Sequence, residues 1–412
     1  MSKVLVIGGG AAGMMAAYAA GMCGHEVTLL EQNEKLGKKI YITGKGRCNF
    51  TNASPLEEIM QAVVSNPKFL YSAFYTFSND AVMDFFENQG MPYKIERGNR
   101  AFPVSDHASD VIRALERAMK EQNVRIRLHT QVRELLIEDD KATGVLLTDG
   151  GKIMADSLIL ATGGLSYPTT GSTGDGHTMA KNSGHKIVTP RPALVPLTTK
   201  EEYILRMQGL SLKNVSLKIK DEKRVIYDAF GEMLFTHFGV SGPLVLSASS
   251  VLSRHFPREY QAYIDLKPAL SEEVLNERLL REFSERPNQH IKAVFQQLLP
   301  AKMIPVMIEL SQISMDKPVN AITKEERRRL VGLFKAFPFT ITGTRGFKEA
   351  IITQGGVSVK DIDPATMESK RIKDLYLVGE LLDLDAAAVV DAGTLDHLDR
   401  HLAAVVEIDA RP

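Results

Sequence analysis

A glycine-rich segment has the residue types and spacing that bind phosphate groups. Residues 8–13 are Gly-Gly-Gly-Ala-Ala-Gly, and they follow an apolar run at residues 4–7. In a strand–turn–helix unit, Gly8 allows the tight turn, Gly10 lets the backbone approach a pyrophosphate, and Gly13 allows close packing of helix on strand. The N–H groups at the start of the helix then face the phosphates, and the helix dipole favours their negative charge.

An acidic residue completes this pattern after a second apolar run at residues 27–30. The Glu31 carboxylate is placed to accept hydrogen bonds from an adenosine ribose. It would repel a 2′-phosphate, so FAD or NAD fits this segment better than NADP. Strand, helix, second strand and acid occur in register, which predicts a dinucleotide-binding βαβ unit.

The number of such fingerprints favours FAD. Proteins that hold both FAD and NAD(P)H in dedicated domains usually need a second glycine fingerprint after a strand. Residues 171–176 lack that context, and residues 343–346 are too short. Two further strands end in glycine, at residues 162–164 (Thr-Gly-Gly) and 379–380 (Gly-Glu). One tightly held FAD that contacts the fingerprint and both glycine-ended strands explains these segments. NADH would then bind only transiently.

A basic segment follows the βαβ unit. Residues 37–39 (Gly-Lys-Lys) and 44–49 (Gly-Lys-Gly-Arg-Cys-Asn) bring four cations and flexible backbone together. We interpret them as phosphate contacts, and a solvated basic loop is the alternative. A P-loop is excluded because Gly46, rather than Ser or Thr, follows Lys45. We do not assign Cys48 as a nucleophile.

Composition limits the class of protein. The 412 residues suffice for two or three domains, and Lys+Arg and Asp+Glu each number 50, so the charge balance gives no support for a nucleic-acid partner. The two cysteines, Cys23 and Cys48, lack the spacing of a zinc site or a disulfide framework, so we expect no metal centre and a reducing cytoplasmic location. No apolar stretch approaches the about 20 residues of a membrane helix. We therefore expect a small-molecule substrate and no membrane partner.

The elements that must position these residues alternate between strand and helix patterns. A helix is predicted at residues 106–122 and a buried strand at residues 157–161. Three β runs between them predict a meander, at residues 132–137, 143–147 and 152–154. Short apolar strands return at residues 351–357 and 374–378. A parallel sheet that starts at residue 3 and resumes near residue 350 implies that the middle of the chain is inserted.

We therefore predict an α/β fold with a discontinuous Rossmann-like domain that binds FAD, formed by residues 1–190 and 346–412. Prolines and alternating β segments predict an inserted β-barrel-like lobe at residues 191–268. A charged helical pattern predicts a second, helical lobe at residues 269–345.

Six segments resemble the bacterial three-domain flavoproteins of the BaiN and aminoacetone oxidase group. They are residues 8–13, 37–52, 100–105, 162–164, 238–243 and 353–357. The resemblance covers nearly the whole chain and is strongest to the group's bile-acid-inducible 3-dehydro-bile acid Δ4,6-reductases. In that group FAD occupies the discontinuous domain, and a β-barrel lobe and a helical lobe are inserted into it.

The resemblance implies an FAD-dependent oxidoreductase of bile acid and steroid metabolism. Its reaction would saturate a carbon–carbon double bond conjugated to the 3-keto group of a bile acid carried as a coenzyme A thioester. NADH would re-reduce the flavin, with NADPH and oxygen left open as redox partners. The alternatives are an amine oxidase that uses oxygen, an FAD-dependent tRNA-modifying protein, and a non-catalytic FAD-binding protein.

The expected cofactor contacts combine the fingerprint with positions that match the group. They are Gly8, Gly10, Ala11, Ala12, Gly13, Glu31, Gln32, Lys38, Gly44, Arg47, Cys48, Asn49, Val132, Thr162, Gly163, Gly164, Gly379, Glu380 and Asp383. By residue type alone, the candidate proton donors or electrophiles are Arg47, Tyr167, His237 and Arg345. No catalytic residue is assigned, and the oligomeric state is left open.

The C-terminal segment departs from the pattern of the group. Members usually continue from the Gly-Glu strand end through an aspartate to a Gly-Gly-Tyr-Asn-like segment. This chain has Leu-Leu-Asp-Leu-Asp-Ala-Ala-Ala-Val-Val-Asp at residues 381–391, and residues 392–412 also differ. The flavin-ring contacts after Asp383 are therefore not assigned.

Overall fold

Residues 1–385 are described in a computed structural model of the chain. The chain divides into two compact units: the first contains Met1–Ala193 and the residues from Gly346 onward, and the second contains Leu194–Arg345. Most of the atypical C-terminal stretch, from residue 386, lies outside the described residues, as do residues 392–412.

The strands of residues 1–385 are named in chain order. They are β1 (Lys3–Ile7), β2 (Glu26–Leu30), β3 (Thr51–Asn52), β4 (Tyr93–Glu96), β5 (Arg100–Pro103), β6 (Arg125–Arg127), β7 (Val132–Glu138), β8 (Lys141–Leu147), β9 (Lys152–Met154), β10 (Ser157–Leu160), β11 (Ile187–Ala193), β12 (Leu197–Thr199), β13 (Ser211–Asp221), β14 (Arg224–Phe235), β15 (Gly239–Ser241), β16 (Tyr260–Asp265), β17 (Phe337–Thr344), β18 (Ile352–Val357) and β19 (Leu375–Leu377).

The α-helices of the same residues are named likewise. They are α1 (Ala11–Met22), α2 (Leu56–Gln61), α3 (Tyr71–Thr76), α4 (Asn79–Asn88), α5 (Ala108–Glu121), α6 (Asp175–Asn182), α7 (Glu202–Arg206), α8 (Pro243–Leu252), α9 (Glu272–Glu285), α10 (Ile291–Phe295), α11 (Ile304–Ser311) and α12 (Lys324–Lys335). Within residues 1–385, no helix is both long enough and apolar enough to cross a bilayer.

The first unit is built on a five-stranded sheet with the order β19-β10-β1-β2-β6. Every neighbouring pair in this sheet is parallel. β1 and β10 are mostly buried apolar segments, as expected for central strands of a parallel sheet, and α1 connects β1 to β2. This architecture confirms the predicted Rossmann-like α/β fold. Because β1, β10 and β19 run in the same direction, their carboxyl ends lie at one edge of the sheet.

The first unit also contains three smaller antiparallel sheets. β7, β8 and β9 form the predicted meander. β3, β5 and β4 form a second sheet, and β11 pairs with β18. The β11–β18 pair therefore joins the two segments of chain that make up this unit.

Two glycines permit the predicted turn out of β1. Gly8 has a φ of +108°, and a Cβ at this position would lie 2.5 Å from the Ala161 carbonyl oxygen. A Cβ at Gly13 would lie 1.8 Å from the Gly8 carbonyl oxygen. α1 therefore packs on the end of β1 at a distance that only glycine permits.

The second unit contains a closed barrel with the strand order β12-β15-β14-β13-β16-β17. This confirms the predicted barrel. Val215, Leu217 and Ile219 alternate with less buried residues along β13, and they belong to an apolar core that includes residues of the helices α9 to α12.

One strand of the barrel differs from the predicted domain division. β17 pairs with both β16 and β12 and so closes the barrel, although it belongs to the range 269–345 that was predicted as the helical lobe. β17 has eight residues and begins two residues after the end of α12, so it was included in the charged helical pattern that precedes it. The other predicted domain boundaries stay predictions.

Substitution of Gly13 tests the packing of α1 on β1. We expect Gly13→Ala to lower the free energy of unfolding by at least about 3 kcal/mol, because the added methyl group overlaps a backbone oxygen that cannot move away. Urea unfolding followed by circular dichroism measures the change. Gly332→Ala is the matched control: a Cβ there meets no atom within 4 Å, and the position is an exposed one in α12. It should be neutral or stabilise by about 0.5–1 kcal/mol. Equal unfolding midpoints for the two variants would contradict the packing.

Candidate functional site

A cleft opens at the sheet edge where β1, β10 and β19 end. It holds about 1080 Å³ of space outside the protein atoms, part of it open solvent. The predicted cofactor residues that line it are Gly8, Gly10, Ala11, Ala12, Glu31, Gln32, Lys38, Cys48, Asn49, Val132, Thr162, Gly163 and Glu380. The fold thus brings residues from distant parts of the first unit to one cavity.

The Glu31 carboxylate is buried and anchors the glycine loop. Its Oε2 accepts a hydrogen bond from the backbone N–H of Gly9 at 2.7 Å. Its Oε1 accepts from the backbone N–H of Asn33 at 2.7 Å and from Asn33 Nδ2 at 2.6 Å. The carboxylate at the end of β2 therefore holds the turn after β1, in addition to its expected ribose contact.

The glycine loop leaves room for a phosphate group. A Cβ at Gly10 meets no atom within 4 Å, and no side chain caps the N-terminus of the 12-residue helix α1. The N–H groups of its first turn are therefore available to an anion. Together with Glu31 in the same cleft, these groups fit the pyrophosphate and ribose of an adenine dinucleotide such as FAD.

Lys38 and Lys39 both line the cleft, but they contact different partners. Lys38 Nζ donates to Asn33 Oδ1 at 3.2 Å and to Glu34 Oε2 at 3.3 Å. Lys39 Nζ donates to Ser166 Oγ at 2.5 Å and to Glu380 Oε2 at 2.6 Å. Lys38 therefore lies beside Asn33, which also contacts Glu31, whereas Lys39 lies beside Glu380 in the segment that follows β19.

Glu380 lies at the centre of a buried polar network after β19. Its Oε1 accepts from Ser166 Oγ at 2.6 Å and from the backbone N–H of Thr353 at 2.7 Å. Thr353 Oγ1 in turn accepts from the backbone N–H of Leu165 at 2.8 Å. The network consequently links the loop after β10 with β18 and with the segment after β19.

His177 on α6 also contacts the segment that follows β19. Its Nε2 lies 3.2 Å from the backbone oxygen of Leu381. Burial lowers the pKa of His177, so the ring is neutral at pH 7. Because a carbonyl oxygen can only accept, the proton of the neutral ring lies on Nε2 and is donated to Leu381.

Arg47 lies outside the cleft lining and is held by two carboxylates. Its Nη2 donates to Glu96 Oε1 at 2.5 Å and to Asp106 Oδ1 at 2.6 Å, and the guanidinium stacks 4.2 Å from the centre of the Phe102 ring. Hydrogen bonding to the guanidinium lowers the pKa of Glu96, and bonds to Lys94 and then Arg47 lower the pKa of Asp106. These contacts brace the loop that precedes Asn49, whereas the sequence pattern predicts a phosphate contact for Arg47.

The predicted cofactor residues outside the lining are Gly13, Gly44, Arg47, Gly164, Gly379 and Asp383. Gly164 packs where a Cβ would lie 2.4 Å from Thr353 Oγ1, so it allows the polar network to form. Asp383 lies beside Asn66, whose Nδ2 donates to the Asp383 backbone oxygen at 2.7 Å. The cofactor contacts of these residues stay predictions.

The other candidate donors do not line the cleft either. Tyr167, in the first unit, has a φ of +52°, and burial, with a smaller contribution from Glu349, raises the pKa of its phenol. His237 and Arg345 lie in the second unit, and both contact the Phe238 ring. Their ring and guanidinium lie 4.9 Å and 4.4 Å from the centre of the Phe238 ring. No catalytic role follows from these contacts.

Sequence reasoning missed several residues of the cleft. They are Gly9, Asn33, Thr43, Thr130, Gln131, Gly171, Ser172, Thr173, Asp175 and Met179. The turn at residues 171–173 approaches Gln32, whose Nε2 donates to the Gly171 backbone oxygen at 2.8 Å. A polar, glycine-containing turn so soon after a glycine-ended strand is a signal that could have identified these residues.

Comparison with known proteins identifies the family. Residues 2–388 match the family model described as HI0933-like protein Rossmann domain. The chain belongs to this family. This HI0933-like chain is 32% identical over 389 residues to the ribosomal RNA dihydrouridine synthase of Haemophilus influenzae, with 93% of this chain and 92% of the relative covered. It is 31% identical over 392 residues to the 3-dehydro-bile acid delta(4,6)-reductase of Clostridium scindens, with 93% and 94% covered.

A solved structure shows the same fold. The 3-ketosteroid delta1-dehydrogenase of Sterolibacterium denitrificans matches with a TM-score of 0.50 at 13% identity, over 99% of this chain and 98% of that chain. At 13% identity this likeness shows the fold alone. The assignment to a flavoenzyme-like oxidoreductase family rests on the family model and the two relatives, and it agrees with the predicted flavoprotein.

Substitution of Glu31 tests the predicted role of its carboxylate in binding the adenosine ribose of FAD. We expect Glu31→Gln to weaken FAD binding at least tenfold, or about 1.4 kcal/mol, because both carboxylate oxygens accept from N–H groups and an amide NH2 would face one of these donors. Fluorescence titration of the apoprotein with FAD measures the dissociation constant. Glu34→Gln is the control, because the exposed Glu34 carboxylate pairs with Lys38 and does not line the cleft. A wild-type dissociation constant for Glu31→Gln would contradict the assignment.

Proposed function

We propose that the chain is an FAD-dependent reductase that saturates a carbon–carbon double bond conjugated to a carbonyl group. The observation that carries this proposal is the cleft at the ends of β1, β10 and β19, with Glu31 tied to the glycine loop. The two relatives give further support, since both names describe the addition of hydrogen to such a bond. In the bile acid the double bonds are conjugated to the 3-keto group, and in uracil the C5=C6 bond is conjugated to the C4 carbonyl.

Different residues of the cleft would bind different parts of the cofactor. Gly10 and the first turn of α1 would bind the pyrophosphate, and Glu31 with Gln32 would hold the adenosine ribose. Thr162, Gly163 and Glu380 would lie along the linker toward the flavin. Bound FAD supplies hydride transfer in its reduced form. The protein must exclude water there and stabilise the enolate-like charge on the substrate carbonyl.

The proposed substrate is a 3-oxo-Δ4 bile acid carried as a coenzyme A thioester, and the proposed electron donor is NADH. The sequence resemblance and the relative of Clostridium scindens support this substrate. The reaction would place the protein in bile acid catabolism, in the cytoplasm.

A second candidate substrate is a uridine base of ribosomal RNA. The relative of Haemophilus influenzae supports it, at an identity that differs from the other by one percentage point (32% against 31%). This substrate would overturn the expectation of no nucleic-acid partner. The chain's zero net charge requires that any RNA contact come from local basic patches.

Anaerobic half-reactions distinguish these substrates. Purified holoprotein is reduced with NADH and then mixed with the 3-oxo-Δ4 bile acyl thioester or with an unmodified ribosomal RNA transcript. We expect NADH to bleach the visible flavin absorbance and the thioester to restore it, because the conjugated 3-keto group makes its alkene an acceptor for hydride from the reduced flavin. Mass spectrometry should show a product that has gained two hydrogen atoms.

Each other outcome has a definite meaning. Reoxidation by the RNA alone, with dihydrouridine in its digest, would reject the bile acid and support the second candidate. An amine oxidase would be identified if a small amine bleaches the flavin and NADH does not. In air, the amine should then produce hydrogen peroxide. Flavin that NADH, NADPH and the amine all fail to reduce would contradict a reductase that uses a nicotinamide donor.

A further inference from the structure

Two adjacent lysines with the same predicted role differ in their contacts. The sequence pattern interprets both Lys38 and Lys39 as phosphate contacts. Their side chains are similarly buried, with 23% and 17% of the side-chain surface exposed. Lys38 pairs with Glu34, whose side chain is 55% exposed, whereas Lys39 pairs with Glu380, whose side chain is only 5% exposed. Lys39 is therefore the partner of a buried carboxylate that lines the cleft.

The contacts around this pair form a closed triangle. Lys39 Nζ lies 2.6 Å from Glu380 Oε2 and 2.5 Å from Ser166 Oγ, and Ser166 Oγ donates to Glu380 Oε1 at 2.6 Å. The backbone N–H of Thr353 adds a further bond to Oε1 at 2.7 Å. Both oxygens of the carboxylate are thus fixed by groups from three other segments of the chain.

A buried ion pair of this kind costs free energy to desolvate, and it is weak evidence for stability on its own. Removal of one partner, however, leaves an uncompensated charge in the interior. Lys39 and Glu380 are 341 residues apart in sequence, so their pairing fixes the segment after β19 against the basic segment that follows β2. Both residues line the cleft, so this fixed point lies at the wall of the cofactor site.

We propose that Lys39 is a positioning residue that holds the Glu380 carboxylate in place for FAD, rather than a phosphate ligand. This inference rests on the proposed FAD site. Lys39 acts through Glu380: it neutralises the buried carboxylate and fixes its rotamer together with Ser166. FAD retention then depends on the Lys39–Glu380 pair and not on positive charge in the basic segment as such.

Substitution of Lys39 by methionine tests this role, and Lys35→Met is the control for loss of a positive charge nearby in sequence. Apoprotein of the full chain is titrated with FAD, and flavin fluorescence gives the dissociation constant. We expect Lys39→Met to raise the dissociation constant at least about tenfold and Lys35→Met, at an exposed lysine outside the cleft lining, to change it less than about threefold. Lys39→Arg should recover part of the loss, because a guanidinium also donates to a carboxylate.

A double variant tests the coupling itself. Glu380→Gln should weaken FAD binding at least about tenfold, and Lys39→Met combined with Glu380→Gln should lose less than the product of the two single changes, since the pair acts as one unit. Urea unfolding of each apoprotein, with and without FAD, separates positioning from general stability. A purely structural role for Lys39 would lower the stability of the apoprotein and leave the dissociation constant unchanged.

Failure of the inference differs from failure of the proposed function. If the wild-type chain does not bind FAD, the proposed function is wrong. If it binds FAD and Lys39→Met behaves like Lys35→Met, or if the effects of the single variants multiply in the double variant, Lys39 does not act through Glu380. Should Lys39→Met fail to fold, Ser166→Ala carries the test, because it removes two bonds of the triangle and leaves both charges. It should raise the dissociation constant about threefold or more, and a wild-type value would overturn the proposal.

Discussion

The pairing of β10 between β1 and β19 is the constraint on which the candidate site depends. Leu158 pairs with Leu5 of β1 on one side and with Leu375 of β19 on the other. Because all three strands are parallel, the segments that follow them emerge at the same edge of the sheet. The glycine loop, the turn at residues 162–164 and Glu380 consequently meet in one cleft, although the sequence separates them widely. Any change of register in β10 would separate the two ends of the site.

Close backbone approach at this edge explains the residue types found there. The carbonyl oxygen of Ala161 lies 2.5 Å from the position of a Cβ at Gly8, and Thr353 Oγ1 lies 2.4 Å from that of a Cβ at Gly164, so neither site has room for a side chain. The absence of these side chains lets polar groups approach one another. The Thr353 N–H donates to Glu380, and Thr353 Oγ1 accepts from the N–H of Leu165 in the loop after β10. A buried charge at the wall of the cleft is therefore tolerated because the backbone around it is packed closely enough to supply its partners.

The predictable part of the site is the part that local sequence determines. The glycine spacing and Glu31 identify the βαβ unit because strand, turn, helix and acid are contiguous. Arg47 pairs with Glu96 and Asp106, and Lys39 pairs with Glu380. Residue type and spacing cannot show these contacts between distant segments. The sequence pattern therefore gave every basic residue at 37–49 the same interpretation, a phosphate contact. The strand β17 was hidden for a similar reason, since its role depends on two partner strands distant in sequence.

The two relatives limit what the cleft can determine. They match this chain at 32% and 31% identity over nearly the same extent, yet their names describe a nucleic-acid base and a steroid. A double bond beside a carbonyl is common to both substrates. We infer that Glu31, the glycine loop and the Lys39–Glu380 pair serve the cofactor and hence the type of reaction. Substrate choice must then reside in residues outside this cleft lining, where relatives of equal similarity are free to differ.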